Sequence, residues 1–159
     1  MNPTLSLDLA NEAATLRLGA RLAALARPGD VLALDGPLGA GKTLLARGFI
    51  QALLGEDEEV NSPTFTLVQT YDTPVAPVWH FDLYRLTQPE EVYELGWDEA
   101  LAQGILLVEW PERLGPLLPR QRLDVALDPS LSRPGRRATR RRVLLTSRRQ
   151  WDDRLGDFA

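Results

Sequence analysis

Hydrophobic residues in this chain fall into short apolar runs separated by longer stretches with helical spacing. Three runs, at residues 31–34, 78–82 and 105–109, are almost continuously apolar, which predicts strands buried on both faces of a sheet. Other segments have a weaker alternation that also predicts strands. These further strands are expected at residues 4–9, 65–71, 123–127 and 143–146.

Two stretches have the spacing of amphipathic helices, one on each side of the first apolar run. Asn11 can cap a helix that extends to about Ala26, and a second helix is predicted over residues 42–54. Further helical segments are predicted at residues 89–103 and 148–155. The residues predicted to be buried are Ala14, Leu18, Leu22 and Leu25 in the first helix and Leu45, Phe49, Ala52 and Leu53 in the second.

Strands that alternate with helices predict an α/β fold, a three-layer sandwich in which helices cover both faces of a mostly parallel central sheet. The segments after Val60 include successive strands with no helix between them, which predicts an antiparallel edge on that sheet. A length of 159 residues predicts a single domain, residues 1–159.

Composition narrows the classes of protein that the chain can belong to. Hydrophobic residues make up 44% and charged residues 25%, which is ordinary for a globular protein. No apolar run approaches the roughly 20 residues that span a bilayer, and residues 1–10 lack the basic region of a signal peptide. The absence of cysteine excludes disulfides, cysteine-ligated zinc and thiol catalysis. We therefore expect a cytoplasmic protein without a membrane partner.

Charge is distributed unevenly along the chain. Residues 133–159 contain nine arginines and three aspartates, although the whole chain has a net charge of −4. A basic segment can be a solvated surface, or it can contact an anion such as RNA. Both interpretations stay open, and the first is favoured because no aromatic residue lies among the arginines before Trp151.

The candidate chemistry centres on residues 36–43, Gly-Pro-Leu-Gly-Ala-Gly-Lys-Thr, which match the phosphate-binding pattern G-x-x-x-x-G-K-[ST] between a strand and a helix. Glycines let successive backbone N–H groups point at phosphate oxygens, and the helix N-terminus adds its positive end. Lys42, the only lysine in the chain, is suited to the β- and γ-phosphates, and Thr43 offers a hydroxyl to Mg²⁺.

Two acids can complete such a site. Asp82 and Glu109 each end an apolar run, so both are predicted at the carboxyl edge of the sheet beside the phosphates. We expect one of them to hold the metal and the other to orient water or the metal's ligands. The hydroxyls of Ser62 and Thr64 either form a turn or sense the γ-phosphate. His80 is predicted to be a buried, hydrogen-bonded structural residue.

Five motifs occur in order along the chain, at residues 36–43, 62–68, 80–86, 94–97 and 108–112. In content and order they resemble the TsaE (YjeE) family, the bacterial ATPase of tRNA threonylcarbamoyladenosine biosynthesis. The resemblance covers about residues 15–118, and it is more specific than the phosphate-binding loop alone because several separate motifs agree.

The resemblance implies a weak Mg²⁺-dependent ATPase that acts on a complex of TsaD and TsaB, with tRNA contacted indirectly or weakly. It implies that Lys42 binds phosphate while Thr43 and Glu109 hold Mg²⁺, and that Asp82 joins Lys42 and Glu109 in catalysis. It also places the start of the first helix near the adenine. The implied nucleotide-binding residues are Asn11, Thr15, Gly36, Gly39, Ala40, Gly41, Lys42, Thr43, Leu44, Ser62, Thr64 and Pro134.

Two other functions stay open on the sequence. The first is a small-molecule P-loop kinase with the arginine-rich residues 133–149 as a lid, although the chain has no separate insertion for an acceptor. The second is a non-catalytic adaptor that senses ATP and recruits partners, against which the intact Thr43, Asp82 and Glu109 argue.

Overall fold

The fold is known from a computed structural model that describes residues 2–55, 59–129 and 140–158. Over these residues one mixed sheet has the strand order β1-β7-β6-β2-β5-β4-β3. Its strands are β1 (Thr4–Leu9), β2 (Val31–Asp35), β3 (Val68–Tyr71), β4 (Val78–Asp82), β5 (Ile105–Glu109), β6 (Arg122–Asp128) and β7 (Arg141–Arg148).

The centre of the sheet is parallel and both of its edges are antiparallel. Strands β6, β2, β5 and β4 run parallel to one another. Strand β3 is antiparallel to β4, as predicted, but β7 is also antiparallel to both β6 and β1. The α/β class is therefore confirmed, and the prediction of one antiparallel edge was incomplete because β6 and β7 also pair as antiparallel strands.

Helices cover both faces of this sheet. The α-helices are α1 (Glu12–Leu25), α2 (Lys42–Leu54) and α3 (Trp97–Gln103), and 3₁₀ segments span Pro89–Leu95, Pro111–Leu117 and Leu155–Phe158. Helices α1 and α2 share one hydrophobic core with the sheet, and α3 with the first two 3₁₀ segments forms the second core on the opposite face. None of the helices in the described part of the chain is long and apolar enough to cross a membrane.

The central strands are apolar on both sides because each side faces a separate core. In β2, Leu32 belongs to the core beneath α1 and α2, whereas Val31 belongs to the core on the other face. In β5, Leu107 belongs to the core beneath α1 and α2, and Leu106 belongs to the core on the other face. Side chains of a strand alternate between faces, so a run without polar residues fits only between two helical layers.

Helices α1 and α2 approach so closely that their contact depends on glycine. A Cβ atom on Gly19 would lie 2.3 Å from the carbonyl oxygen of Leu45, and one on Gly48 would lie 2.3 Å from that of Leu16. Both distances are too short for non-bonded atoms, so only glycine permits this crossing. The crossing fixes the direction of α2, whose N-terminus follows the phosphate-binding loop.

Three local predictions differ from the structure. The strand predicted over residues 65–71 begins only at Val68, because Leu67 has a left-handed backbone with φ of 67°. The final helix predicted over residues 148–155 is replaced by turns and the 3₁₀ segment, because Arg149 has φ of 76°. Ala52 is exposed in an open groove between α1 and α2.

The end of the described chain is joined to the turn before β2 by a buried ion pair. Arg154 donates to both carboxylate oxygens of Asp30, at 2.6 and 2.9 Å, and only 4% of Arg154 and 3% of Asp30 is exposed. The geometry is that of a bidentate arginine–carboxylate pair.

We expect Asp30→Ala to lower the free energy of unfolding by about 3–5 kcal/mol, because it leaves the Arg154 guanidinium buried without its carboxylate. Urea denaturation measures this difference. The matched control is Asp153→Ala, since Asp153 pairs with Arg27 at 3.8 Å on the surface and exposed pairs contribute little. Equal effects of the two substitutions would contradict a structural role for the buried pair.

Candidate active site

The loop between β2 and α2 has the backbone that phosphate-binding loops require. Gly36 and Gly41 have φ of 147° and 104°, in the left-handed region that favours glycine. A Cβ atom on Gly36 would lie 2.7 Å from the carbonyl oxygen of Leu127 on β6. Gly41 is the N-cap of α2, so the first free N–H groups of this helix face the space beside the loop.

A cleft of about 610 Å³ opens beside the loop, at the carboxyl ends of β2, β4 and β5. Ligands of open α/β sheets bind at this position. The lining combines cationic, acidic and hydroxyl side chains with the backbone of the loop. The lining residues are Glu12, Leu38, Gly39, Gly41, Lys42, Thr43, Leu44, Arg47, Ser62, Thr64, Asp82, Glu109, Trp110 and Arg141.

Lys42 is held within the cleft by two contacts. Its Nζ donates to the carbonyl oxygen of Gly36 at 2.6 Å and lies 3.4 Å from the centre of the Trp110 ring. Trp110 follows β5 and has a left-handed backbone with φ of 59°, which aims its ring at the loop. Burial lowers the pKa of Lys42, and the nearby carboxylates, Glu109 foremost, partly oppose this shift. The site thus holds a positive charge that is only partly hydrated.

Glu109 is fixed from two directions. The hydroxyl of Thr43 lies 3.0 and 3.1 Å from the two carboxylate oxygens, and Nε2 of His80 lies 2.6 Å from Oε2. His80 is fully buried and hydrogen-bonded, as predicted, and its partner is the acid of the site. The imidazole on β4 and the hydroxyl on α2 together hold the carboxylate of β5 in one orientation.

Asp82 lies beside Glu109, because the two residues are opposite each other on neighbouring parallel strands. Its carboxylate accepts hydrogen bonds from the backbone N–H of Tyr84 at 3.2 Å and from the hydroxyl of Thr64 at 3.4 Å. Burial raises the pKa of Asp82, the Tyr84 bond lowers it, and the Glu109 charge raises it further. The hydroxyl of Ser62 lies 2.7 Å from that of Thr64, so the structure brings the turn at residues 62–64 to this acid.

The oxygen atoms at this end of the cleft suit Mg²⁺. Thr43, Glu109 and Asp82 offer a hydroxyl and two carboxylates, and Mg²⁺ is commonly bound by one or two carboxylates together with substrate phosphates. Within the ranges that the structure describes, no group of three or more histidine, cysteine and acidic residues is arranged as a metal site. The donor set therefore fits an ion shared with a bound phosphate.

The other loop residues predicted to bind nucleotide do not all face the cleft. Gly39 and Leu44 line the cleft. The carbonyl oxygen of Gly36 is the acceptor for Lys42. Ala40 is fully buried, and its N–H donates to the carbonyl oxygen of Pro37 at 3.0 Å, so Ala40 shapes the loop instead of facing the cleft.

The start of α1 meets the cleft through a residue that was not predicted. Asn11 uses its side chain as the helix cap, accepting from the N–H of Ala14 at 2.9 Å, and Thr15 is fully buried. Neither belongs to the described lining of the cleft, whereas Glu12, between them, does. The helix cap uses the side-chain oxygen of Asn11, and a contact of Asn11 or Thr15 with a nucleotide stays a prediction. Pro134 lies outside the described residues.

The comparisons with known proteins agree with this geometry. The family model described as "Threonylcarbamoyl adenosine biosynthesis protein TsaE" matches residues 9–138. The chain belongs to the TsaE family. Family membership confirms the resemblance seen in the sequence motifs, and the family's described role is in threonylcarbamoyladenosine biosynthesis.

Two relatives and one solved structure illustrate the similarity to other TsaE proteins. The "tRNA threonylcarbamoyladenosine biosynthesis protein TsaE" of Rickettsia felis is 45% identical over 122 residues, which cover 77% of this chain and 71% of that protein. The Bacillus subtilis protein of the same name is 46% identical over 106 residues, covering 66% and 65%. The crystal structure of Bacillus subtilis YdiB superposes with a TM-score of 0.77 at 33% identity, over 99% of this chain and 95% of that chain.

Proposed function

We propose that this TsaE-family chain is a Mg²⁺-dependent ATPase required for threonylcarbamoyladenosine modification of tRNA. The observation that carries the ATPase is the convergence of Lys42, Thr43, Asp82 and Glu109 on one cleft beside a glycine-rich loop. The pathway is supported by the family model and by the name that the relatives share.

In the proposed mechanism the loop binds the phosphates of ATP through its backbone N–H groups and Lys42. Thr43 and Glu109 would hold Mg²⁺, which supplies positive charge against the phosphate oxygens when it is bound. Asp82 orients the attacking water, because a carboxylate beside the metal ligand Glu109 can accept a hydrogen bond from that water. His80 keeps Glu109 directed at Thr43 by its contact at 2.6 Å.

The contacts that Lys42 and Thr43 make within the chain support weak ATP hydrolysis by the isolated protein. Lys42 is bonded to the Gly36 carbonyl, and the hydroxyl of Thr43 is bonded to Glu109. Nucleotide must replace these contacts before either side chain can act on phosphate or metal. A partner that closes the cleft would favour the replaced state, and two large apolar side chains near its rim, Leu38 and Phe65, are each 82% exposed. We infer that a complex of TsaD and TsaB is this partner.

Addition of purified TsaD and TsaB is expected to raise the rate of phosphate release from ATP at least about tenfold, which needs only a modest change in the activation barrier. Steady-state phosphate release measures the rate. The control is the same pair with the Lys42→Ala chain, which should show no rise. An unchanged rate with the pair present would contradict the proposal, and transfer of phosphate to a small-molecule acceptor would favour a kinase.

The cellular side of the proposal is tested by mass spectrometry of tRNA nucleosides. Depletion of this protein should lower the content of threonylcarbamoyladenosine, and the wild-type chain should restore it. A variant that binds ATP without cleaving it is informative as well. If that variant restores the modification fully, the chain is an adaptor and its hydrolysis is not required.

A further inference from the structure

Arg141 is a buried cation whose position in the sequence gives no indication of its contact with the loop. It is the first residue of β7, it is only 2% exposed, and it lines the cleft. A Cβ atom on Gly41 would lie 1.8 Å from Nη1 and 2.8 Å from Cζ of Arg141. The guanidinium therefore lies directly against the last glycine before Lys42.

The sheet order explains how a residue so distant in sequence reaches the loop. Strand β7 runs antiparallel to β6, and β6 lies parallel beside β2. The beginning of β7 is therefore at the same edge as the end of β2, where the loop starts. Arg141 and Lys42 approach Gly41 from different elements, one from the sheet and the other from α2.

The two cations suit different parts of a phosphate chain. In loops of this type the backbone N–H groups cradle the α- and β-phosphates, and the lysine reaches the β- and γ-phosphates. Arg141 presents a planar, permanently charged group with several donors, which can bind two phosphate oxygens at once. Its place is at Gly41, next to the N–H groups that start α2, and β6 and β2 lie between β7 and the strand that carries Glu109.

We propose that Arg141 binds the α- and β-phosphates of nucleoside di- and triphosphates, as a second phosphate contact beside Lys42. This inference rests on the proposed function, since it assumes that the cleft binds a nucleotide. It predicts that Arg141 contributes equally to the binding of ATP and ADP, which share the two phosphates.

The other buried arginine shows what a purely structural role involves. Arg154 is held by both oxygens of Asp30 and by the backbone carbonyls of Leu25 and Gln150. Arg154 is not part of the described lining of the cleft, whereas Arg141 shares that lining with Lys42 and Thr43. Arg141 therefore lies where a phosphate chain bound in the cleft would contact it.

The test is isothermal titration of the full chain with ATP and with ADP in the presence of Mg²⁺. We expect Arg141→Gln to weaken the binding of ATP by about 10- to 100-fold, as for loss of a charged bidentate contact. The binding of ADP should weaken by a similar factor. Arg141→Lys should recover part of the loss, because it restores charge without the planar fork. The matched control is Arg142→Gln, the next residue on β7, which is exposed and paired with Asp8; it should bind both nucleotides like the wild type.

A second measurement separates direct binding from support of the loop. Free guanidinium at millimolar concentration should restore ADP binding to Arg141→Ala, and the same concentration of urea should not. Wild-type affinity in Arg141→Gln, or loss of binding that guanidinium does not rescue, would overturn the inference. If the wild-type chain itself binds neither ATP nor ADP, the proposed function fails along with it. If wild type binds and only the Arg141 effects are missing, this inference alone fails.

Discussion

Lys42→Ala is expected to reduce ATP hydrolysis at least about 100-fold, the usual cost of losing one preorganised charge at a transition state. Lys42 is the side chain whose position and charge suit the β- and γ-phosphates, and it lies at the start of α2 within the cleft. Phosphate release by the purified variant, with and without TsaD and TsaB, measures the effect. An unchanged rate would be incompatible with a phosphate-binding function for the loop.

The loss should not come from unfolding of the chain. Burial lowers the pKa of Lys42, which means that the folded protein disfavours its charge. Removal of the ammonium therefore relieves a desolvation cost, while the hydrogen bond to Gly36 and the cation–π contact with Trp110 are lost. We expect the thermal midpoint to change by only a few degrees, and circular dichroism of the variant provides the control. A large fall in the midpoint would assign the lost activity to stability.

Local chemistry made the phosphate-binding loop and the central strands predictable. Strands β4 and β5 have the bounds expected from the sequence, because each is a buried run that ends in a carboxylate. Helix α2 begins at Lys42 as the motif requires and ends before Gly55, whose left-handed backbone closes it. These features depend on residues that are close together in sequence.

Contacts between distant elements could not be predicted in the same way. Arg141 reaches Gly41 only because β7 folds back along β6, and no spacing in the sequence indicates that pairing. Glu12 reaches the cleft because α1 packs on α2 through Gly19 and Gly48. The predicted residues Asn11 and Thr15 lie at the same end of α1, and their contact with a nucleotide stays a prediction.

Both acids end an apolar strand, and the family resemblance implies that Glu109 holds the metal; the hydrogen bonds in the structure distinguish the two acids as well. Glu109 contacts Thr43 through both carboxylate oxygens and is supported by His80. Asp82 contacts Thr64 and the N–H of Tyr84 instead. Because Thr43 is the hydroxyl expected at the metal, the pairing favours Glu109 as the metal ligand. Asp82 is then free to orient water or the ligands around the metal.

We therefore expect Glu109→Gln to weaken nucleotide binding and the dependence on Mg²⁺ together, and Asp82→Asn to slow hydrolysis by about 100-fold while ATP still binds. Amide substitutions keep the size of each side chain, so His80 and Tyr84 keep a neighbouring oxygen. Titration of ATP at several Mg²⁺ concentrations, followed by phosphate release, separates binding from hydrolysis.

The opposite pattern would reverse the two roles. If Asp82→Asn abolished the Mg²⁺ dependence of binding while Glu109→Gln bound ATP normally, Asp82 would be the metal ligand and the Thr43–Glu109 contact would have only a structural purpose. Equal losses in both variants would show that the acids hold the metal jointly. Asp82 and Glu109 lie opposite each other on β4 and β5, and of these two acids it is Glu109 that accepts the hydrogen bond of Thr43. The experiment tests whether this difference gives the two carboxylates different roles.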